Sequence, residues 1–405
     1  MNNKIYLDNA ATTMVNSEVM AEMLPYFNTV YGNASSLHSF GREAKAGIDL
    51  ARDRIAKGIG CKPSEIYFTS GATEANNWIL RGVAYACRDA KKGNHIITSK
   101  IEHPSILETC KNLEKDGFKV SYLDVDKYGF VRIDQLLHEI SANTILISIM
   151  SANNEIGTVQ NIQAITSIAN EKGVPFHTDA TQAIGAINFN VKEMGIDALS
   201  ISAHKINGPK GVGALYIKKG LKINKFMAGG EQESDMRAGT LNTPAIVGFG
   251  KAVEIATRDI IANSKKLRTL RDYFVREVQS KIEYVFLNGH TVQRLPNNAS
   301  LAFGMVDGES LMFMLDMAGI AVSTGSACSS GSIQSSHVLK AIGLAEDLAQ
   351  GTVRFSLGKT TTKEEIDYVV EKLAEIVKKL RQMSPITKSQ IGNVKKGDKK
   401  CTIKK

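Results

Sequence analysis

The sequence predicts an α/β fold with a mostly parallel sheet, followed by a smaller α+β region. Short apolar runs alternate with longer amphipathic stretches up to about residue 245, and this alternation is typical of a parallel sheet with helices on both faces. Beyond that point long helical patterns dominate and strand-like segments become rare. The length of 405 residues gives room for two to three domains, or for one large domain with an appendage.

The predicted elements follow from the spacing of the apolar residues. Strand-like runs lie at residues 66–69, 95–98, 120–123, 144–150, 174–177, 198–201 and 214–217, and two more lie at 299–303 and 352–357. Helical patterns lie at residues 74–86, 162–170, 245–282 and 363–381. The last helix carries its apolar residues at helical spacing, which predicts one face packed against a core.

The composition is that of an ordinary globular protein, with 43% hydrophobic and 22% charged residues. No run approaches the ~18 apolar residues of a membrane span, and the start MNNKIYLDNAATT is unlike a signal peptide. We therefore expect a cytoplasmic protein with no membrane partner. The five cysteines, Cys61, Cys87, Cys110, Cys328 and Cys401, form no CxxC pair. This favours reduced thiols over disulfides or structural zinc, and we expect no metal site.

The net charge of +9 is concentrated at the C-terminal end of the sequence. Residues 385–405 contain seven lysines and one aspartate, and the rest of the chain is close to +3. This stretch has no aromatic residues and no apolar periodicity, so we expect a disordered tail. It is either a solubilising end or a contact for nucleic acid, and we expect no nucleic-acid partner.

Polar residues follow five of the predicted strands, at the point where each strand ends. Ligands of open α/β sheets bind beyond the carboxyl ends of the strands, so these residues are candidates for a site. They are Ser70 to Glu74, then His103, then Asn154, then Asp179 with Gln182, and finally Ser202, His204 and Lys205. Each group also has an ordinary structural explanation: a helix capping box, a structural histidine, turn-forming amides or a surface lysine.

Together these residues satisfy the needs of one cofactor, pyridoxal 5'-phosphate (PLP). PLP requires a lysine for its covalent attachment, an aspartate that keeps its pyridine nitrogen protonated, and an anchor for its phosphate. Lys205 and Asp179 supply the first two. The small residues Gly71 and Ala72, with the Thr73 hydroxyl, open a helix whose free N–H groups suit an anion.

These segments resemble the cysteine desulfurases of the NifS/IscS type, in the class V aminotransferase group of fold-type I PLP enzymes. The resemblance rests on YLDNAATT, YGNASSLHSFG, SGATEANN, EHPS, ANNEIG, HTDATQAIG, SAHKINGPKGVG, RAGTLN, STGSACSSGS and VRFSLG, and spans residues 4–384. It implies a fold-type I PLP-dependent transferase with a seven-stranded type of sheet. We expect a large PLP-binding domain over residues 15–257, and a small domain formed by residues 1–14 and 258–384 with a mobile Cys328 loop.

The resemblance also implies roles for single residues. Lys205 is the residue that binds PLP covalently, Asp179 pairs with the pyridine nitrogen, and His103 stacks on the ring. Further cofactor contacts are implied for Gln182 and Asn154 near the ring hydroxyl, for Gly71, Ala72, Thr73, Ser202 and His204 at the phosphate, and for Thr240, which a partner subunit supplies in family dimers. Arg354, with Asn154 beside it, is implied as the clamp for the substrate carboxylate, a task that suits a bidentate guanidinium.

Cys328 stands in a segment of small and polar residues, from Ser323 to Ser332, with no apolar periodicity. A free cysteine is ordinarily a small buried hydrophobe, but such a segment cannot bury much and should be mobile. SACSSGS resembles the long-loop desulfurases, whose cysteine carries a persulfide to an acceptor. Two departures from the family are Glu231 and Asp235 before RAGT, where glycines are usual, and the lysine-rich tail, which puts the usual docking of a scaffold protein in doubt.

The resemblance thus predicts the conversion of L-cysteine to L-alanine. Lys205 or His103 removes the Cα proton, and the Cys328 thiolate attacks the substrate sulfur and keeps it as a persulfide. We expect a homodimer that hands the sulfur to an iron–sulfur scaffold or another acceptor. The alternatives are a selenocysteine lyase, another class V aminotransferase, or an inactive scaffold protein that uses its basic tail.

Overall fold

A computed structural model describes residues 4–324 and 336–383. Cys328 and the predicted tail therefore lie outside the described residues. The helices are α1 (Ser17–Met23), α2 (Pro25–Asn28), α3 (Ser39–Ile59), α4 (Ala72–Asp89), α5 (Pro104–Lys115), α6 (Ile133–Glu139), α7 (Ile162–Glu171), α8 (Gln232–Asp235), α9 (Thr243–Arg258), α10 (Ile260–Lys281), α11 (Gly308–Met317), α12 (His337–Ala341), α13 (Glu346–Gln350) and α14 (Lys363–Met383). In this part of the chain no helix has the length and apolar character to cross a membrane.

The strands fall into three sheets. They are β1 (Ile5–Tyr6), β2 (Ile66–Thr69), β3 (His95–Ser99), β4 (Lys119–Leu123), β5 (Thr144–Ser148), β6 (Phe176–Asp179), β7 (Ala198–Ser202), β8 (Gly213–Ile217), β9 (Val285–Leu287), β10 (Asn298–Phe303), β11 (Ile320–Ala321), β12 (Ser323–Thr324) and β13 (Thr352–Ser356). The large sheet has seven strands in the order β2-β8-β7-β6-β5-β3-β4. Only β8 runs antiparallel to its neighbours there, so the predicted parallel α/β sheet is confirmed.

Helices cover both faces of the large sheet. On one face α3 packs against α9 so closely that a Cβ on Gly250 would lie 2.4 Å from the Cα of Ala51. On the other face α4 and α5 bury Trp78, Ile79 and Ile106 against the strands. Because both faces are covered, the strands read as apolar runs without alternation. The same burial leaves the strand ends as the place where polar side chains can gather.

A second hydrophobic core lies between the four-stranded sheet, in the order β12-β13-β10-β9, and helices α10, α11 and α14. Phe274 and Phe355 pack in it as a tilted pair, with ring centroids 5.0 Å apart. Ile5 and Leu7 pack into this core, although they stand at the other end of the chain. This packing supports the division of the chain into residues 15–257 and a small domain with residues 1–14, which we keep as a proposal.

Most predicted elements differ from the structure by one to three residues at an end, and two differ in a way that has a clear physical reason. The strand predicted at residues 174–177 is β6, two residues later, because Pro175 has no N–H to give to the ladder. Asp179 is therefore the last residue of a strand. The helix predicted at residues 245–282 is two helices, α9 and α10, because Asp259 between them leaves helical geometry at φ −104° and ψ 15°. Aspartate is a residue type that favours helix ends.

Candidate active site

A cavity of about 710 Å³ lies beyond the carboxyl ends of the parallel strands. We call two of its sides by separate names. The sheet wall consists of the lining residues that end or follow β2, β3, β5, β6 and β7, namely Ser70 to Glu74, His103, Ser105, Met150, Ala152, Asn154, Asp179, Thr181, Gln182, Ser202, His204 and Lys205. The second wall consists of Asp8, Ala10, Ala11, Thr12, Ser323 and Arg354. Residues far apart in the sequence thus meet at one site.

The first part of the sheet wall is a cradle at the start of α4. Its N-cap residue is Gly71, which offers no side chain to the first backbone N–H groups of the helix. Strand β8 passes so close that a Cβ on Gly213 would lie 2.7 Å from the Cα of Gly71. Glu74 fixes the cradle, because its carboxylate accepts from the Ser70 N–H at 2.9 Å and from Arg237 Nε at 2.9 Å. The free N–H groups and the positive end of the helix suit an anion.

Asp179 is held by two donors at the end of β6. Its Oδ2 accepts from Asn76 Nδ2 at 2.7 Å, and its Oδ1 accepts from the Thr181 N–H at 2.9 Å. Asn76 also donates to Ser105 Oγ at 2.9 Å, and that hydroxyl lies 2.8 Å from His103 Nδ1. Since the Ser105 N–H donates to the same nitrogen at 3.1 Å, Nδ1 is the acceptor and the ring proton of neutral His103 sits on Nε2.

Lys205 joins the sheet wall to the second wall. Its ammonium donates to the carbonyl oxygens of Ala10 and Ala11, both at 2.6 Å. Gln182 Nε2 donates to the same Ala10 carbonyl at 3.0 Å. His204 Nδ1 lies 3.2 Å from Thr12 Oγ1. The segment from residue 10 to 12 is therefore bound to three side chains that follow β6 and β7.

Arg354 is the cation of the second wall. It lies in β13, paired with Ser323 of β12, and is only 7% exposed. Its Nη2 donates to Asp8 Oδ1 at 3.0 Å and its Nη1 donates to the Asn154 carbonyl at 3.0 Å. The buried Nε has no hydrogen-bond partner among the described residues. A guanidinium with an unused buried donor is ready to accept an anion.

Burial shifts the titration of the groups around the cavity. It lowers the pKa of His103; the Asp179 charge opposes this shift, and the Lys205 and His337 charges support it. It lowers the pKa of His204 to about 4, helped by the Lys205 and Lys210 charges. Both imidazoles are therefore neutral at pH 7. Glu102, just before His103, is fully buried, and burial raises the pKa of its carboxyl to about 8.

Comparison with known proteins shows what kind of site this is. The class V aminotransferase profile matches residues 5–369. The chain is 52% identical to a cysteine desulfurase IscS of Dictyoglomus turgidum, over 95% of this chain and 97% of that one. It is likewise 52% identical to the protein of that name from Methanosarcina thermophila, over 95% of each chain. A solved NifS-like protein superposes with a TM-score of 0.88 at 41% identity, over 93% of this chain and 99% of that one.

The chain belongs to the class V aminotransferase family, in the cysteine desulfurase group of the NifS and IscS type. The family resemblance that the sequence indicated is therefore confirmed. The fold is that of the fold-type I PLP enzymes, as expected. PLP is accordingly the cofactor of this chain.

The residues of the cavity fit PLP. The cradle at Gly71 and the hydroxyls of Thr73 and Ser202 suit its phosphate, Asp179 offers a carboxylate to its ring nitrogen, and the Lys205 amine suits its carbonyl carbon. Thr181 Oγ1 lines the cavity, is buried, and has no hydrogen-bond partner among the described residues. It adds a polar group to the cavity wall next to Asp179.

Most of the site residues proposed from the sequence line this one cavity. They are Gly71, Ala72, Thr73, His103, Asn154, Asp179, Gln182, Ser202, His204, Lys205 and Arg354. Thr240 is exposed and does not line it, and Cys328 lies outside the described residues. The departures Glu231 and Asp235 do not line it either, and Asp235 pairs with Lys225 at 3.0 Å.

Sequence reasoning missed three groups of the site. Asp8 lies within the quoted YLDNAATT and Asn76 within SGATEANN, but neither received a role. The third is the Glu74–Arg237 pair, which joins SGATEANN to RAGTLN. In each case the motif itself could have indicated a site residue, because the strand and helix patterns did not explain its polar residues.

Proposed function

We propose that this protein is a PLP-dependent cysteine desulfurase that converts L-cysteine to L-alanine and holds the sulfur as a persulfide on Cys328. One observation carries the proposal most. Asp179 ends β6 and Lys205 follows the adjacent strand β7, and both share one cavity with a buried arginine whose Nε has no partner among the described residues. A lysine, an aspartate and a carboxylate clamp at one sheet edge are what PLP chemistry on an amino acid requires.

Arg354 is the proposed clamp for the substrate carboxylate. Its Nε and Nη2 form an edge that matches two carboxylate oxygens, and Nε is unused. Its Nη1 bond to the Asn154 carbonyl fixes the plane of the guanidinium. A fixed edge orients the amino acid so that its Cα and its amine face the sheet wall.

Lys205 is the better candidate for removing the Cα proton. PLP, when bound, withdraws electrons from the substrate, which makes the Cα proton acidic and weakens the Cβ–S bond. His103 accepts from two donors of Ser105 at Nδ1, so its one lone-pair nitrogen is already engaged. Lys205 lies in the cavity, and its hydrogen bonds to two carbonyls would orient its amine. His103 then serves to stack and position.

Cys328 is the proposed nucleophile. Its thiolate sulfur bonds to the substrate sulfur, the Cβ–S bond breaks, and its electron pair stays with the carbon fragment, which takes up a proton as alanine. Both flanks of residues 325–335 lie beside the cavity. Ser323 lines it, and Ser336 Oγ donates to Glu155, next to Asn154. The described chain thus stops beside Arg354 and resumes at a contact with the residue after Asn154.

The proposal includes a cytoplasmic homodimer that gives its sulfur to an iron–sulfur scaffold or another acceptor. Five large apolar side chains near the N-terminus are more than half exposed: Met14, Leu24, Phe27, Tyr31 and Leu37. Such exposure suits an interface with a second copy, and the exposed Thr240 suits a contact to that copy's cofactor. Cys61, Cys87 and Cys110 are free thiols, which suits a reducing compartment.

The test is the stoichiometry of the reaction with L-cysteine and dithiothreitol. We expect equal amounts of alanine and sulfide, and Cys328→Ala should keep the absorption of bound PLP while losing sulfide release. Cys61→Ala is the matched control, because burial raises the pKa of that thiol to about 12 and no thiolate forms at neutral pH. Transfer of the amino group to a keto acid would favour another class V aminotransferase, and activity confined to selenocysteine would favour a lyase for that substrate.

A further inference from the structure

The pairing of Arg354 with Asp8 places an anion where the substrate is expected to bind. The 3.0 Å contact joins Arg354 Nη2 to Asp8 Oδ1, and both side chains line the cavity. Nη2 belongs to the edge that would face a substrate carboxylate, whose other corner is the unused Nε. One corner of the clamp thus has a partner, and the other has none among the described residues.

The position of Asp8 is fixed by the backbone and does not depend on a mobile side chain. Residues 7–9 run beside the end of β13: the Ser356 N–H donates to the Leu7 carbonyl at 2.7 Å, and the Asn9 N–H donates to the Ser356 carbonyl at 3.2 Å. Arg354 is two residues earlier on the same strand. Asp8 and Arg354 are therefore held side by side by the fold.

Among the described residues, Asp8 is the only carboxylate in contact with Arg354. Glu155 is near, but burial raises the pKa of its carboxyl, and it accepts from Ser336 Oγ instead. The Asn154 contact is a neutral carbonyl. Once a substrate carboxylate binds, two anions share one guanidinium in a site of low exposure, and like charges at such a distance repel each other.

We propose that Asp8 is a resident anion of the carboxylate clamp, which an amino acid must displace or share in order to bind Arg354. Asp8 acts through Arg354 and is a positioning residue that sets the affinity of the site for carboxylates. The inference deepens the proposed function and rests on it for the identity of the substrate. It applies to cysteine and alanine alike, because both carry the same carboxylate.

This arrangement has a use in turnover. Binding energy that is equal for substrate and product does not speed the chemical step, and it slows release of alanine. A carboxylate that returns to Arg354 as alanine leaves would shorten the occupation of the site by product. Asp8 would then raise the KM for L-cysteine and favour release of L-alanine.

The test is calorimetric titration of the PLP-loaded enzyme with L-alanine and with L-alaninamide, which lacks the carboxylate. We expect Asp8→Asn to bind L-alanine about tenfold more tightly, equal to about 1.4 kcal/mol, with no change for L-alaninamide. In steady-state assays the KM for L-cysteine should fall by a similar factor while kcat does not rise. Asp134→Asn is the matched control, because it breaks an exposed pair with Arg132 outside the cavity.

Unchanged or weaker binding of L-alanine by Asp8→Asn would overturn the inference, since Asp8 would then merely support Arg354. If Asp8→Asn does not fold, Asp8→Ser removes the same charge and is measured in the same way, with the same expected direction. The proposed function is checked separately by alanine formation from L-cysteine in the unmodified enzyme. Failure of that assay would leave the alanine titration as a valid test of Asp8.

Discussion

The residues of the sheet wall and those of the second wall are brought together in different ways. Asp179 ends one strand and Lys205 follows the adjacent strand of the same sheet, so their separation is set by strand pairing. Asp8 and Arg354 come from segments nearly 350 residues apart and meet through an isolated bridge beside β13. The cofactor residues are thus placed by regular structure, and the substrate residues are placed by tertiary packing. We expect changes in the sheet wall to affect PLP, and changes in the second wall to affect the amino acid.

The largest expected effect is on the sheet wall. Lys205→Ala should lower alanine formation at least ~10³-fold, because both the covalent attachment and the proposed base are lost. Borohydride reduction followed by peptide mass analysis should find PLP on the peptide with Lys205 in the unmodified protein and on no peptide of the variant. Lys111→Ala, an exposed lysine paired with Glu108, is the control. If the variant still carried PLP on another lysine, the assignment of Lys205 as the attachment residue would be wrong.

A substitution in the second wall should change the KM for L-cysteine. Arg354→Lys keeps the charge but loses the flat edge that matches a carboxylate, so we expect the KM for L-cysteine to rise about 10- to 100-fold. The dissociation constant for PLP should stay within about twofold of normal, since no described contact joins Arg354 to the cradle. Arg132→Lys is the matched control on the surface. A loss of PLP with an unchanged KM would contradict the separation of the two walls.

Glu74→Gln should have the opposite effect to Arg354→Lys: it should weaken PLP binding and leave the KM for L-cysteine unchanged. Burial alone raises the pKa of Glu74, but hydrogen bonds from Arg237 and Ser70 outweigh this and lower it, so the carboxylate is ionised in the folded protein. Loss of its ion pair with Arg237 should loosen the cradle and weaken PLP binding about tenfold. The KM for L-cysteine at saturating PLP should not change. Equilibrium dialysis of PLP measures the effect, with Glu108→Gln as the control.

Glu102 allows a smaller test through pH. Its pKa is about 8 in the folded protein against about 4.5 when unfolded, so the folded state holds a proton that the unfolded state has lost. Stability must therefore fall as pH rises between these values, by about 1.4 kcal/mol per pH unit at most. Glu102→Gln should remove this slope between pH 6.5 and 8, as measured by urea unfolding. A slope that is the same in both proteins would contradict the burial of a protonated carboxyl.

The sheet wall could be predicted from the sequence because it obeys a local rule. Each of its residues follows an apolar run, and parallel strands end at one edge, so Asp179 and Lys205 could be placed together without coordinates. The strand at residues 174–177 was misplaced by two residues, since Pro175 interrupts the ladder within an apolar run. The conclusion still holds because Asp179 lies at the carboxyl end of β6, at the edge of the sheet that faces the cavity.

The second wall could not be predicted in the same way. Arg354 lies inside a strand-like run, and nothing in that run of sequence indicates that its partner is residue 8. Asp8 lies in a segment with a two-residue strand, too short to show any period. Their contact depends on the packing of Ile5 and Leu7 into the second core. The spacing of apolar residues predicts local elements but not such long-range packing. Only the family resemblance gave Arg354 a role, and it gave none to Asp8.

The central claim is that the sulfur of L-cysteine bound in this cavity is transferred to a single thiol, that of Cys328. Peptide mass spectrometry after brief exposure to L-cysteine tests it most directly. The account predicts one added sulfur atom on the peptide with Cys328, and none in the Lys205→Ala protein. Added sulfur on Cys61, Cys87, Cys110 or Cys401, or alanine formed with no protein-bound sulfur, would contradict it.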